Sequence, residues 1–382
     1  MILKIEELTA DKDLTVLMPS LNEETAIRKI IQETREALDN SDINYCILVS
    51  DNGSSDKTLE ICKEEKILIN HCVEKGYGAN LINAIKKINS KYLIFYDSDG
   101  SYDPKEIKSF FKEATKDNSL GLVTGNRLKQ QEENSMPFLH RYLGTPVLSF
   151  IIRFFFNVKI YDCNSGMRLL NNSFFKNVNF FCKGMEFASE IFVKSSYNNI
   201  KVKEIFIKFR KDYRGSKPHL STWSDGWRHL RYIVSNIPDK FFIFLIGFVF
   251  FNYFLIFLLS FFNANQNFPR FHTIFIIFAL NQILQTILLG ILSLRIYLSK
   301  EEGLKSFLVE KIIYLKKNNY LMSFALINLL LVFIEIIFLL LKWYHVDFGN
   351  IIEISTVIRI INYSSLASVA LNLDFEIEGK KL

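Results

Sequence analysis

The segment KYLIFYDSDGSYDP, residues 91–104, places carboxylates directly after an apolar run. Asp97 and Asp99 are separated by one residue, and on extended backbone such residues face the same way, about 6.5–7 Å apart. Two carboxylates so placed can share a divalent cation whose other positions are open to diphosphate oxygens. Mg²⁺ and Mn²⁺ suit such oxygen-rich sites. The pair therefore predicts a metal site.

Two other readings compete for this segment. A calcium loop of the EF-hand type requires Gly where Tyr102 stands and Glu where Lys108 stands, so it is excluded. A plain Asp-rich turn stays open on these residues alone. Asp103 directly precedes Pro104, which is typical of a helix cap, and we assign it a structural role.

Other polar segments indicate a nucleotide. VSDNGSSDKT puts Asp51 at the end of an apolar run, where its carboxylate can accept hydrogen bonds from a base or a ribose. EKGYGANL offers Gly76 and Gly78, where the backbone can come close to a nucleotide. The order P-S-L-N-E, D-N-G-S-S-D, G-Y-G, D-S-D is far more specific than any one of these motifs.

The segments that must position these residues alternate between strand and helix patterns. LTVLMPS and YCILVSDNGS are short apolar runs that end in turn residues, as strands of a parallel sheet do, and Ile27, Ile30, Ile31 and Leu38 recur between them at helical spacing. KYLIFYDSD and LGLVTGNR repeat the strand pattern. We therefore predict an open, doubly wound α/β domain that binds its ligands beyond the carboxyl ends of the strands. The polar groups expected at that edge are Asn22, Glu23, Asp51 to Asp56, Asp97 to Asp103, Asn126 and Arg127.

Composition predicts a second, membrane-embedded region. Of the 382 residues 49% are hydrophobic and 23% are charged, and the mean hydropathy of +0.14 is high for one soluble globule. Long apolar runs follow residue 240, and a run of about 20 such residues can cross a bilayer as a helix. We predict a domain at 1–235 and a transmembrane domain at 241–382. Its four expected helices are 241–262, 271–294, 321–341 and, weaker because of Glu353 and Arg359, 351–373.

Basic residues predict the orientation. Six lie between the second and third expected spans, namely Arg295, Lys300, Lys305, Lys311, Lys316 and Lys317, whereas the neighbouring loops hold only Arg270 and Lys342. Basic loops face the cytoplasm, so we expect an integral protein of the cytoplasmic (inner) membrane with its N-terminal domain on the cytoplasmic side. The net charge of +6 favours contact with anionic lipid and no nucleic acid.

Two segments are expected to lie at the membrane surface, near 136–156 and 223–240. TPVLSFIIRFFF is too short to span and is interrupted by Arg153, which is typical of an interfacial helix. WSDGWRHLRYIVSNIPDK interleaves aromatic residues with Arg228 and Arg231. An ordinary amphipathic core helix is the alternative for both.

From Leu14 to about Leu230 the chain resembles the inverting, GT-A-type glycosyltransferases of family two. MPFLHRYLGTP, CNSGMR, GMEFASE and RGSKPHLSTWSDGWRHLR further resemble a membrane-bound branch with dolichol-phosphate mannose synthase and bacterial polyprenyl-phosphate glucosyltransferases. The resemblance implies a Rossmann-like GT-A domain, a nucleotide sugar as donor and a polyprenyl phosphate as acceptor.

The resemblance also implies roles for individual residues. Around the nucleoside and the donor it implies Pro19, Asn22, Glu23, Asp51, Gly76, Gly78 and Ser98. Asp97 and Asp99 would hold the metal, and Arg127 and Arg141 the acceptor phosphate. The segment from Arg214 to Lys217 would close over the donor diphosphate, although KDYRGSK only approximates the R-x-G-x-S-K pattern.

The acceptor decides whether a protein base is needed. A phosphate monoester, with a second pKa of about 6, is already mostly anionic at neutral pH and needs cations to position it. Arg127 and Arg141 fit that task, with Arg168 or His140 assisting. A hydroxyl would need a carboxylate to take its proton, and Glu186 and Glu190 lie about where family two enzymes place one. We favour an orienting role for both.

The prediction is a metal-dependent, inverting hexosyltransferase with Asp99, Arg127 and Arg141 as catalytic residues. Non-processive transfer to a hydroxyl of a glycolipid or a cell-surface glycan stays open. A processive synthase would carry Q-x-x-R-W, which DGWRHLR does not supply. A membrane scaffold with a degenerate nucleotide fold is the non-enzymatic alternative, and a homo-oligomer is left open.

Overall fold

The computed structural model describes residues 4–132, 135–213 and 222–237, together with isolated positions further along the chain. By its internal contacts the chain divides into one unit of residues 1–234 and another of residues 235–382. Every strand given below belongs to the first unit.

Seven strands form one sheet in the described residues. They are β1 Leu14–Ser20, β2 Tyr45–Asp51, β3 Leu68–His71, β4 Tyr92–Phe95, β5 Leu120–Gln131, β6 Arg168–Asn171 and β7 Lys201–Phe209. The helices are α1 Ile5–Thr9, α2 Ile27–Leu38, α3 Thr58–Glu64, α4 Tyr77–Ile85, α5 Ile107–Lys116, α6 Thr145–Phe156, α7 Asn172–Phe175, α8 Phe187–Tyr197 and α9 Thr222–Ser235. A 3₁₀ turn, Pro104–Glu106, leads into α5, and a π-helical turn, His140–Gly144, leads into α6.

The strand order is β3-β2-β1-β4-β6-β5-β7. All neighbours pair in parallel except β6, which runs antiparallel to β4 and β5. The predicted mixed α/β, Rossmann-like fold is confirmed. The antiparallel β6 was not predicted: the chain returns after α6 to the edge where β5 ended, so β6 must start there and run back.

The sheet is covered on both faces, which explains the nearly continuous apolar runs of its strands. Val16 and Met18 of β1 belong to one core cluster and Leu17 to the other, as the two-residue period of a strand requires. The first cluster contains Ile27 and Ile30 of α2 and Phe110 of α5. The second contains Leu81 of α4, Leu148 of α6 and Ile191 of α8.

Because β1, β2, β4, β5 and β7 are mutually parallel, their carboxyl ends share one edge of the sheet. Ser20 and Asp51 are register partners at that edge. The antiparallel β6 begins there with Arg168, which opposes Phe95, the last residue of β4. The polar segments that follow the parallel strands are thereby collected on one side of the domain.

No helix within the described part of the chain is both long and apolar enough to cross a membrane. The four expected spans lie outside the described residues, apart from isolated positions in the first and the third. The two segments expected at a membrane surface contain the π-turn with α6 and α9, respectively.

Candidate active site

The loops that follow β1 and β2 are joined by hydrogen bonds. The Asp51 carboxylate accepts from the Gly53 N–H at 2.9 Å and the Ser54 N–H at 3.1 Å. The Asn22 N–H donates to Ser54 Oγ at 2.9 Å, and Asn22 Oδ1 accepts from the Ser55 N–H at 2.8 Å. Two of the residues predicted around the nucleoside therefore lie together in one braced pair of loops.

Pro19, Glu23 and Ser98 lie beside these loops. Glu23 is buried, and its N–H donates to Thr58 Oγ1 at 2.8 Å, at the start of α3. Ser98 Oγ donates to the Pro19 carbonyl at 2.9 Å, which ties the aspartate segment to β1. The structure therefore brings the predicted nucleoside residues and the D-S-D segment to the same edge.

The D-S-D segment is a turn. β4 ends at Phe95, and Ser98 and Asp99 form a turn that continues into Gly100 at φ 88°. The expectation of extended backbone through Asp97 and Asp99 is therefore wrong, because β4 ends at Phe95 and the chain turns at Ser98 and Asp99. Asp99 Oδ1 accepts from Ser101 N–H at 3.0 Å and Ser101 Oγ at 2.6 Å, which fixes its side chain within the turn.

The segment after β7 packs against this turn. The Tyr213 N–H donates to the Asp99 carbonyl at 2.8 Å. A Cβ on Gly100 would lie only 2.3 Å from the Tyr213 ring, so the ring needs a glycine there in addition to the left-handed backbone. Arg210 holds the same segment to Asp103 at 2.9 Å and to Glu33 at 3.1 Å. Asp103 also caps the following turn by accepting from the Lys105 N–H at 3.0 Å, as predicted.

A cavity of about 70 Å³ lies beside Asp97. Arg127 and Arg168 share its wall with Asp97, and the aromatic residues Tyr77, Phe95 and Phe187 supply much of the rest. Tyr77 lines the cavity together with Asp97, and burial, followed by the negative charge of Asp97, raises the pKa of Tyr77 well above its ordinary value. The phenol therefore stays protonated and can donate.

Arg127 is held by a buried ion pair. Its Nε and the second guanidinium nitrogen, NH2, donate to the two Asp162 oxygens at 2.8 and 2.9 Å, and its backbone N–H donates to Asp162 Oδ2 at 3.0 Å. Arg127 is 9% exposed and Asp162 is 0% exposed. Burial would lower the pKa of Arg127, but Asp162, with Tyr102 and Asp97, outweighs it and raises that pKa. The arginine therefore stays charged in the cavity wall.

A strand irregularity sets the direction of Arg127. β5 pairs with β7 in register up to Asn126, opposite Phe206, and pairing resumes only at Gln130, opposite Lys208. β5 therefore has extra residues over this stretch, and such bulges redirect side chains next to functional sites. Within the described residues, the third guanidinium nitrogen, NH1, donates only one hydrogen bond, a long one of 3.5 Å to the Tyr102 hydroxyl.

Arg168 lines the same cavity but is bound to backbone. It is 1% exposed, and it donates to the carbonyls of Ser165 at 3.0 Å, Ala188 at 2.7 Å and Cys163 at 2.7 Å. Burial lowers the pKa of Arg168. These contacts join the loop before β6 to α8, so Arg168 shapes the wall of the cavity.

Arg141 lies on the π-helical turn before α6, outside the cavity wall. It is half-buried, and its guanidinium lies 5.2 Å from the Tyr142 ring centroid. Its neighbour His140 has its pKa lowered by burial and then by the charge of Arg127. The π-turn therefore approaches Arg127 with His140, while Arg141 is not one of the residues that the cavity brings together.

Glu186 and Glu190 have different surroundings. Both Glu190 oxygens accept backbone hydrogen bonds at 2.9 Å, from the Phe181 and Cys182 N–H groups, and the residue is fully buried. One Glu186 oxygen accepts from the Gly184 N–H at 3.2 Å. The other is buried and has no hydrogen-bond partner in the described part of the chain.

Gly76 and Gly78 contact protein backbone. A Cβ on Gly76 would lie 2.2 Å from the Lys183 carbonyl oxygen, and one on Gly78 would lie 2.0 Å from that of Cys182. Close packing of α4 on the segment before α8 is therefore sufficient reason for both glycines. Arg214 and Lys217 lie outside the described residues.

Asp97 and Asp99 could bind a divalent cation only if waters or substrate phosphates occupied its other coordination positions. Among the described residues no group of three or more His, Cys, Asp or Glu side chains could hold a metal. Mg²⁺ is commonly bound by one or two carboxylates, with waters and substrate phosphates at its other positions. Asp97 and Asp99, two carboxylates of one turn, are a donor set of that kind.

Sequence reasoning missed Asp162, Tyr77 and Tyr102. Asp162 immediately precedes CNSGMR, the motif on which part of the resemblance rests, but nothing in that motif pairs it with Arg127. The Tyr102 hydroxyl accepts from the Gly166 N–H at 2.6 Å, which brings the D-S-D segment and the loop before β6 together. The adjacency of Asp162 to that motif was the one available signal.

Comparison with known proteins gives consistent matches. Residues 15–178 match the family described as Glycosyl transferase family 2. A low-salt glycan biosynthesis hexosyltransferase of Haloferax volcanii is 31% identical over 62% of this chain and 57% of its own length. The chain thus spans little more than half of that relative.

Other relatives are shorter and more completely covered. A UDP-N-acetylglucosamine–dolichyl-phosphate N-acetylglucosaminyltransferase of Methanococcus voltae is 28% identical over 52% of this chain and 86% of its own length. Among solved structures, glucosyl-3-phosphoglycerate synthase from Mycobacterium tuberculosis covers 62% of this chain and 85% of its own, at a TM-score of 0.49 and 15% identity. A superposition that loose indicates nothing about function.

Replacing Asp162 with Ala should lower the free energy of unfolding by about 3–5 kcal/mol, since the buried Arg127 charge would lose its partner. Lys203→Ala is the matched control: its ion pair with Glu113 is exposed at the surface and should contribute no more than about 1 kcal/mol. Denaturant unfolding of the full chain measures both. Equal losses in the two variants would contradict the importance of the buried pair.

Proposed function

We propose that the protein, whose residues 15–178 match the family described as Glycosyl transferase family 2, is an inverting, metal-dependent hexosyltransferase. Its donor is a UDP- or GDP-sugar and its acceptor a polyprenyl phosphate. The observation that carries the proposal is the buried Arg127, which shares one cavity wall with Asp97.

The acceptor side rests on Arg127. Asp162 occupies Nε and NH2, which leaves NH1, with its long 3.5 Å contact, as the guanidinium nitrogen most able to donate to a phosphate oxygen. Arginine suits such recognition because its planar group carries several N–H donors and stays charged. The N-acetylglucosaminyltransferase of Methanococcus voltae carries dolichyl phosphate in its name, which supports the same acceptor class.

The donor side rests on the braced loops after β1, β2 and β4. Asn22 and Asp51 would hold the nucleoside, and Asp97 and Asp99 would hold Mg²⁺ or Mn²⁺ against the diphosphate. The cation, when bound, would offset the charge that develops on the leaving nucleoside diphosphate. Ser101 orients the Asp99 carboxylate through its hydrogen bonds, and Tyr77 lines the cavity beside Asp97.

No protein base is required in this mechanism. The acceptor phosphate is already anionic at neutral pH, so the chain's task is to hold it in line with the anomeric carbon and to exclude water. Attack on the face opposite the leaving group inverts the anomeric centre. The aromatic rings of Phe95 and Phe187 line part of the same cavity.

The helix before β6 supports a site at a membrane surface. Phe138, Tyr142, Phe150 and Phe154 are each more than half exposed, and their spacing puts them along one side of the helical segment that contains the π-turn and α6. Exposed apolar side chains in such a row mark contact with a partner or a bilayer. We assign the partner as the cytoplasmic face of the membrane, where a lipid phosphate would be presented, with the C-terminal region as the anchor.

Asp99→Asn should lower the rate of hexose transfer at least ~10²-fold, because it weakens electrostatic stabilisation of the leaving group. Asp103→Asn is the control from the same segment, since Asn also caps a helix and should keep activity within a few-fold. Transfer of labelled hexose from UDP- and GDP-sugars into extracted lipid measures both, with the divalent cation varied. Turnover of Asp99→Asn near the wild-type rate at saturating cation would remove the metal assignment.

A second candidate function is transfer to a lipid or glycan hydroxyl. The observation that favours it is the buried Glu186 oxygen without a hydrogen-bond partner in the described residues. A carboxylate with one unused oxygen can take a proton from an attacking hydroxyl.

Glu186→Gln separates the two acceptor classes. With a phosphate acceptor the variant should keep transfer within about tenfold of wild type, because general acid–base catalysis, typically worth ~10²–10⁴, is not used. Donor binding by the same protein is the control for folding. A loss beyond 10²-fold with donor binding intact would make the hydroxyl acceptor the better assignment.

A further inference from the structure

We propose that Glu204 on β7 is a positioning residue: it holds the loop that carries Asp162 and thereby aims Arg127 at the acceptor phosphate. The inference rests on the proposed function and extends it to a residue remote from the cavity wall.

The Glu204 carboxylate is committed to three donors. Its Oε1 accepts from the N–H groups of Tyr161 and Asp162, both at 2.8 Å. Its Oε2 accepts from Asn126 Nδ2 at 3.0 Å. One side chain therefore links the loop before β6 to the residue that directly precedes Arg127.

The contacts continue from that loop to the guanidinium. Asp162, whose N–H is fixed by Glu204, binds Arg127 through both carboxylate oxygens and through the Arg127 backbone N–H. Asn126, also fixed by Glu204, accepts from the Leu128 N–H at 2.9 Å through Oδ1. Glu204 thus bonds to both sides of the arginine: to the counter-ion loop and to the irregular strand.

The strand geometry explains why such a brace is needed. Glu204 opposes Thr124 on β5, just before the stretch from Asn126 to Gln130 in which β5 and β7 lose register. A bulge leaves ladder groups unpaired and lets a strand bend. In this stretch the Arg127 N–H donates to Asp162 and the Leu128 N–H donates to Asn126, and Glu204 hydrogen-bonds to both of those accepting residues. The direction of Arg127 therefore depends on Glu204.

Glu204 is half-buried on β7, and its carboxylate is satisfied by hydrogen bonds. Partial burial raises the pKa of Glu204, and the Tyr161 N–H and the Asn126 amide act in the opposite direction. A partly buried charge is retained where hydrogen bonds satisfy it. An apolar or β-branched residue would pack there without that desolvation cost, but it could not bind the loop.

The test compares Glu204→Ala with Lys203→Ala, the adjacent residue on β7, whose ion pair is exposed. Steady-state transfer is measured with polyprenyl phosphate and the nucleotide sugar varied in turn. Glu204→Ala should raise the acceptor KM at least about tenfold, since hydrogen bonds to a charged group are lost. The donor KM should stay within twofold, and Lys203→Ala should leave both constants unchanged.

A double-mutant comparison separates positioning from general destabilisation. In an Arg127→Lys background the group being aimed is gone, so adding Glu204→Ala should change the acceptor KM less than threefold. If Glu204→Ala does not fold, Glu204→Gln replaces it. This variant keeps the Oε1 acceptor but places an amide NH₂ next to the donating Asn126 amide. Its acceptor KM should rise about threefold or more.

The results also separate this inference from the proposed function. A wild-type enzyme that transfers no sugar to polyprenyl phosphate contradicts the proposed function, and the inference with it. An active wild type with unchanged acceptor KM in every Glu204 variant that folds overturns the inference alone. Additive effects of Arg127→Lys and Glu204→Ala overturn it as well.

Discussion

The buried ion pair between Arg127 and Asp162 constrains the rest of the site. Removing a guanidinium from water costs several kcal/mol unless a carboxylate and further hydrogen bonds compensate it. Asp162 supplies this compensation with both oxygens, and it also accepts the Arg127 backbone N–H. The loop before β6 must therefore lie against the bulged part of β5. The same pairing holds Arg127 in the wall of the cavity shared with Asp97.

The donor side depends on a different constraint, the shared carboxyl edge of parallel strands. Asp51, Asn22 and the D-S-D turn come from separate strands, and hydrogen bonds between their loops fix them relative to one another. The turn is braced from beyond β7 by Tyr213, whose ring fills the space that a side chain at residue 100 would need. The two halves of the site meet at Asp97, beside Arg127.

Part of this arrangement could be predicted from the sequence. Apolar runs ending in polar residues predicted the α/β sheet and its ligand-binding edge, and the motif order carried the resemblance to a family that residues 15–178 match. Asp162 could not be predicted, because no local pattern links an aspartate to an arginine 35 positions earlier on another strand. The spacing of Gly76 and Gly78 predicted close approach to a nucleotide. It could not reveal that the carbonyl oxygens of residues 182 and 183 lie where side chains at these glycines would be. The sequence did not predict that β4 ends at Phe95, because Tyr96 continues the apolar run toward Asp97.

The central claim is that Arg127 receives an anionic acceptor. The most direct measurement offers the purified full chain a nucleotide-sugar panel with undecaprenyl phosphate in one arm and undecaprenol, the alcohol without the phosphate, in the other. The account predicts a lipid-linked sugar only in the phosphate arm, released by mild acid as expected of a sugar phosphodiester. A product in the alcohol arm, or an acid-stable product in the phosphate arm, would contradict it.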